Sequence, residues 1–128
     1  MTKIGRLEEI KAWQEARELV KEIYSITSKG EFARDFGLRD QIRRASVSVM
    51  SNVAEGYARS SDKEFARFLS IALGSTAEVQ SQLYVALDLE YITNNKFDSL
   101  YNLSSKTAKL ITGFINYLKS SPGEGSSS

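Results

Sequence analysis

The chain has 128 residues, 41% hydrophobic and 26% charged, with one proline, no cysteine and no histidine. That is enough for one domain with a continuous core, and the lack of cysteine excludes a disulfide scaffold. Without histidine, imidazole acid–base catalysis, the usual serine or cysteine triads, His-containing zinc sites and Glu-x-x-His di-metal bundles are all closed.

The net charge of +1 gives no overall attraction to polyanions, so the distribution of charge matters more than its sum. From Ser99 to Ser121 the only charges are Lys106, Lys109 and Lys119. No apolar run follows Met1, so a signal peptide is not expected, and no stretch has the length of a membrane span. The reading is a cytoplasmic protein with no membrane partner and no cofactor.

Four helices are predicted in chain order, and no strand. In the first, Ile10, Trp13, Ala16, Val20, Ile23 and Tyr24 recur at three- and four-residue steps and form an apolar face. Ser28-Lys29-Gly30 marks its end, because glycine tolerates the left-handed conformation past a C-terminus.

Asp35 is a good N-cap for a second helix running to about Arg59. Leu38, Ile42, Ala45, Val49, Asn52 and Gly56 form its stripe, broadened by Val47, Met50, Val53, Ala54 and Tyr57. A helix apolar over so much of its circumference, and so rich in small residues, is expected to be covered on more than one side, including by another subunit.

Ser61 followed by Glu64 fits a capping box that opens a third helix. Its stripe of Phe65, Phe68, Leu69, Ala72, Thr76, Val79, Leu83, Ala86 and Leu87 reaches about Tyr91. Thr93-Asn94-Asn95 opens the fourth, where Phe97, Leu100, Ser104, Thr107, Ile111, Phe114, Ile115 and Leu118 follow heptad-like spacing. Short joints between long helices predict an all-α, antiparallel up-down four-helix bundle over residues 1–119, with residues 120–128 a flexible polar tail.

The stretches "LEEIKAWQEARELVKEIYSIT", "FGLRDQIRRASVSVMSNVAEGYARSSDKEFARFLSIALGSTAE" and "QLYVALDLEYI" resemble the four-helix bundle family of 23S ribosomal RNA intervening-sequence proteins. The central block carries the resemblance, with Gln41-Ile42, Arg44-Ala45, Asn52-x-Ala54-Glu55-Gly56, Phe65 and Gly74-Ser75-x-x-Glu78. Met50 departs from it, standing where proline is common, so the second helix is expected to run straighter. The resemblance implies a ring-shaped homopentamer without known catalysis. Some members are encoded within insertions in ribosomal RNA genes. A related branch is the accessory variability protein of diversity-generating retroelements, where a basic pentamer binds a reverse transcriptase and nucleic acid.

Arg43, Arg44, Asn52, Glu55 and Glu78 form a candidate polar cluster. Glu55 and Glu78 could serve as a paired acid and base. The structural reading pairs them instead with Arg43 or Arg44, or Glu55 with Arg59 at i,i+4, since a buried charge must be compensated. It is preferred because no nucleophile, oxyanion loop or phosphate-binding glycine motif accompanies them. No catalytic residue and no metal ligand are assigned.

Arg59, Lys63, Arg67, Lys106, Lys109 and Lys119 are the candidate nucleic-acid contacts. A solvated face is the usual fate of such residues, but fivefold repetition would turn a modest patch into a charged ring. Trp13, Phe65, Phe68 and Phe114 could stack on bases, although their spacing is that of a core. The functional expectation is a non-enzymatic, homopentameric scaffold binding RNA or DNA, or a nucleic-acid-processing partner. The alternative is a module that binds only protein.

Overall fold

A computed structural model describes residues 5–120; the predicted tail, apart from Ser120, lies outside them. After a 3-10 turn at Leu7–Glu9 come α1 (Lys11–Ile26), α2 (Gly30–Arg34), α3 (Phe36–Tyr57), α4 (Asp62–Asp88) and α5 (Asn94–Ser120). Among the described residues there is no strand. Each long helix packs on two others, α3 on α4, α4 on α5, and α1 on both α3 and α5, so the four close into a bundle.

The caps follow local chemistry. The Asp35 carboxylate accepts from the Leu38 N–H at 3.1 Å, and Ser61 Oγ accepts from the Glu64 N–H at 3.1 Å. At α5, Thr93 Oγ1 accepts from the Lys96 N–H at 3.1 Å. The second half of the expected capping box at Ser61 is replaced, because the Glu64 carboxylate turns toward Arg67. α3 is continuous through Met50.

α2 is an addition to the predicted pattern. Gly30 takes φ +60°, as a chain reversal after α1 requires. The short helix then turns Phe32 into the core, 5.3 Å from the ring of Tyr91.

The buried face of α1 keeps Ile10, Ala16 and Ile23 of the expected one but is rotated toward Ala12 and Leu19. Ala12, Ala16, Leu19 and Ile23 are buried, while Trp13 and Val20 are half-buried and Tyr24 is exposed.

The core forms two apolar clusters. One, including Ile10, Val53, Phe65, Leu69 and Ile115, fills the end holding the α3–α4 corner. The other, including Leu19, Phe32, Ile42, Leu83 and Phe97, fills the opposite end. Between them lie the buried hydroxyls of Ser46, Ser75, Thr76, Ser104 and Thr107. Each donates to a carbonyl three or four residues earlier on its own helix, so no donor is stranded. This waist of small side chains lets the helices approach closely.

Candidate nucleic-acid interface

The turn between α3 and α4 is tight because Gly56 is buried against the start of α4. A Cβ there would lie 2.8 Å from Phe65 Cδ1 and 3.1 Å from the Phe65 carbonyl oxygen. The corner presents Arg59, Lys63 and Arg67. The two guanidiniums lie over the ring of Phe68, 4.7 Å (Arg59) and 4.5 Å (Arg67) from its centroid. Phe68 is therefore neither a bare stacking platform nor a fully buried core side chain, but a half-buried post holding two cations in place.

Both arginines carry a carboxylate partner. Arg59 donates to Glu55 at 2.7 Å, and Arg67 donates to Glu64 at 3.3 Å. The hydrogen bond from Arg67 is the main cause of a Glu64 carboxyl held below the usual glutamate range, with Arg59 and Lys63 adding attraction. Lys63 is exposed and has no ion-pair partner among the described residues. Lys119 stands in the last turn of α5 at the same end, where the Phe65–Phe114 ring contact of 5.0 Å fixes the antiparallel register.

Lys106 and Lys109 sit further along α5, on its α1 side. Lys106 is not the unbalanced cation that a count along the chain implied, since it pairs with Glu15 of α1 at 3.5 Å. Lys109 instead borders a groove between α1 and α5 together with Lys11. The six candidates thus divide into a corner group and an α5 pair.

The expected polar cluster also divides. Arg43 faces α1, donating to Thr27 Oγ1 at 2.8 Å and Ser28 Oγ at 3.2 Å, with its guanidinium 4.4 Å from the Tyr24 ring centroid. Asn52 donates to the Ser48 carbonyl and hydroxyl, and Ser48 lies 2.9 Å from Ser75 Oγ across the α3–α4 seam. Arg44 and Glu78 border one groove with Gln41, Ser48 and Gln82, while Glu55 belongs to Arg59 at the corner.

The contacts Gln41–Gln82 and Ser48–Ser75 set the helix register. Glu78 therefore sits about ten residues along the seam from the level of Glu55, about 15 Å at the α-helical rise. That separation is too long for one acid–base pair on a single substrate atom. Glu78 is exposed rather than close to the core, and neither Arg43 nor Arg44 is its ion-pair partner.

Among the described residues, no group of three or more His, Cys, Asp or Glu side chains could hold a metal ion. No helix there is long and apolar enough to cross a membrane.

A family model described as 23S rRNA-intervening sequence protein matches residues 8–113. Among solved structures, the chain is similar to a protein of unknown function from the S23 ribosomal protein family of Bacteroides thetaiotaomicron. The two share 26% identity and a TM-score of 0.75, over 81% of this chain and 97% of that one. No curated protein matches.

Proposed function

The chain belongs to the 23S rRNA-intervening sequence protein family, and from that membership we propose a non-enzymatic scaffold. In this reading it assembles as a homopentameric ring and binds RNA or DNA, or a protein that processes nucleic acid. The observation that carries the binding part is the corner at one end of the bundle, where Arg59 and Arg67 are braced on Phe68 beside Lys63, which has no ion-pair partner among the described residues. Lys119 stands at the same end. One subunit offers few uncompensated cations, but a ring would repeat them five times around an axis, and phosphate affinity grows with the number of neutralised charges.

Two faces on different sides of the bundle, each with partly exposed apolar side chains among charged ones, support the ring. On the α1–α3 side, half-buried Trp13, Val20 and Met50 share one surface groove with charged Glu15, Glu18 and Lys21, and Tyr24 and Val47 are exposed on the same two helices. On the outward strip of α4, Ile71 is 42% exposed and Val85 43%, on the same helix face as Glu78. Two dissimilar faces meeting head to tail generate a closed ring when the rotation permits. The absence of catalysis is supported by the separation of Glu55 from Glu78 and by the engagement of Glu55 with Arg59.

Titration of single-stranded RNA and duplex DNA binding against salt tests the nucleic-acid part. The expected result is binding at low salt that weakens steeply as salt rises. Lys63→Glu together with Lys119→Glu lowers the log–log salt slope by about 1 for each phosphate no longer neutralised, without unfolding the chain. No binding at low salt, or indifference to salt, rejects direct phosphate contact.

One observation favours the second reading, a module that binds only protein. Arg59, Arg67 and Lys106 already have carboxylate partners within the chain. Pull-down of a partner that survives nuclease treatment would select that reading.

A further inference from the structure

The groove between α1 and α5 is distinct from the corner and serves neither the ring strips nor the phosphate contacts proposed above. It has a volume of about 450 Å³ and is walled by Ile10, Ala12, Leu110, Phe114 and Tyr117. Its floor is open at Gly113, where an added Cβ would meet nothing within 4 Å. Tyr117 is 53% exposed although its ring is held 6.2 Å from that of Phe114, so among the described residues an aromatic surface stands open.

The rim is cationic. Lys11 and Lys109 border the groove from opposite helices, and neither has a carboxylate partner among the described residues. Lys106, one turn earlier on α5, does have one in Glu15. Glu9, the single acid on the rim, is engaged in local structure, its Oε1 accepting from the Arg6 N–H at 3.2 Å.

We infer that this groove docks a short amphipathic helix of a partner protein, with apolar side chains over Gly113 and acidic ones paired to Lys11 and Lys109. Its length fits, because Lys109 to Tyr117 spans about 12 Å of α5, enough for about two turns of a guest helix. Apolar anchors at i and i+4 on such a guest meet Leu110, Phe114 and Tyr117, themselves at three- and four-residue steps. Charge complementarity selects an acidic guest over a basic one. Lys109 thereby becomes a carboxylate contact instead of a phosphate contact.

The test uses the full chain and a fluorescein-labelled helical peptide carrying leucines at i,i+4 spacing between glutamates, read by anisotropy. Two control peptides replace the glutamates by lysine or the leucines by serine. Both controls are expected to bind at least about tenfold more weakly. Gly113→Leu fills the floor and Tyr117→Ser removes an exposed anchor; each abolishes binding while the fold is kept, with native helicity and no fall in melting for Gly113→Leu. Lys11→Glu with Lys109→Glu reverses the preference toward the lysine peptide.

Absence of binding, equal binding of all three peptides, or indifference to Gly113→Leu and Tyr117→Ser overturns the inference. So does a fall in oligomer mass with Gly113→Leu in the absence of peptide, which would assign the groove to a second copy. Competition by RNA that Gly113→Leu leaves unchanged would return Lys109 to phosphate. Failure of ring assembly or of RNA binding leaves the peptide result unaffected, so the two readings fall separately.

Discussion

Gly56 and Gly113 show how one residue type does different work at two places on the bundle. At Gly56 a methyl group would be forced to within 3.1 Å of the Phe65 carbonyl oxygen, and backbone cannot swing aside as a flexible side chain can. Gly56→Ala therefore costs about 1–2 kcal/mol, the overpacking penalty less the gain in helix propensity. Gly113→Ala meets open space and gains about 0.5–1 kcal/mol from propensity alone. Urea unfolding of both variants checks the pair; equal shifts would mean that the corner relaxes freely. The sequence makes Gly56 legible as a close-packing position, because it lies in the apolar stripe of α3, but it does not say against what. The same corner sets the behaviour of Glu64. Its carboxyl titrates below the usual glutamate range because Arg67 favours the charged form. With the folded value depressed, its contribution to stability is present above the unfolded value and is lost as pH falls through the folded one. A carboxyl NMR titration should place the Glu64 midpoint below that of an ordinary glutamate, and Arg67→Ala should return it toward the usual value.

At the scale of the element, helix ends were more legible than helix faces. Asp35, Ser61 and Thr93 were readable as caps because capping is a local exchange between one side chain and an N–H two or three residues on. The face of α1 was not, because periodicity reports every apolar edge of a helix without saying which one meets the core. Ile10, Ala16 and Ile23 of the expected face are buried, but Trp13, Val20 and Tyr24 fit the three–four rhythm as well as Ala12 and Leu19 do, and of these only Ala12 and Leu19 are buried. The polar cluster failed for a related reason, since residues close in sequence on α3 point to α1, to α4 or along their own helix. Arg43 and Arg44 project about 100° apart on α3, and only the packing of that helix decides which of them meets α1. Lys106 is the same lesson in charge, its partner Glu15 lying on a helix far away in sequence. Arg43 yields a specific prediction. It ties α3 to the end of α1 through two hydroxyls and the Tyr24 ring, a planar arrangement that an ammonium cannot copy. Arg43→Ala should destabilise by about 1–2 kcal/mol, and Arg43→Lys should recover less than half of that. Full recovery by lysine in thermal melts would reduce the clasp to a simple point charge.

For the whole molecule, assembly decides how the surface is read. Within the chain α3 is covered by both α1 and α4, yet Val47 remains 37% exposed beside half-buried Met50, with Ile71 and Val85 open on α4. Scattered single apolar residues are ordinary on a surface, and what a head-to-tail ring would need is that those of α1 and α3 meet those of α4 in the next subunit. The family was legible in the sequence because its signature joins buried packing positions such as Ile42, Ala45, Gly56 and Phe65 to exposed polar ones such as Arg44, Glu55 and Glu78; where a ring would close was not, since exposure is a property of the folded chain. Ile71 separates the possibilities. Ile71 is 42% exposed on α4 and belongs to neither apolar core cluster, so Ile71→Glu should leave the monomer folded, with a change in stability within about 0.5 kcal/mol. In a ring that buries Ile71, the same change places a carboxylate in an apolar contact and breaks assembly. Light scattering at micromolar concentration should then give about five times the chain mass of 14.3 kDa for the natural sequence and a single chain mass for Ile71→Glu. A single chain mass for both would remove the ring and the multiplication of Lys63 and Lys119 with it. The five-chain mass for both would retain the ring and move its interface away from α4. A five-chain particle that dissociates with Ile71→Glu and also loses RNA binding, though Lys63 and Lys119 are untouched, would tie phosphate affinity to repetition of the corner around the axis.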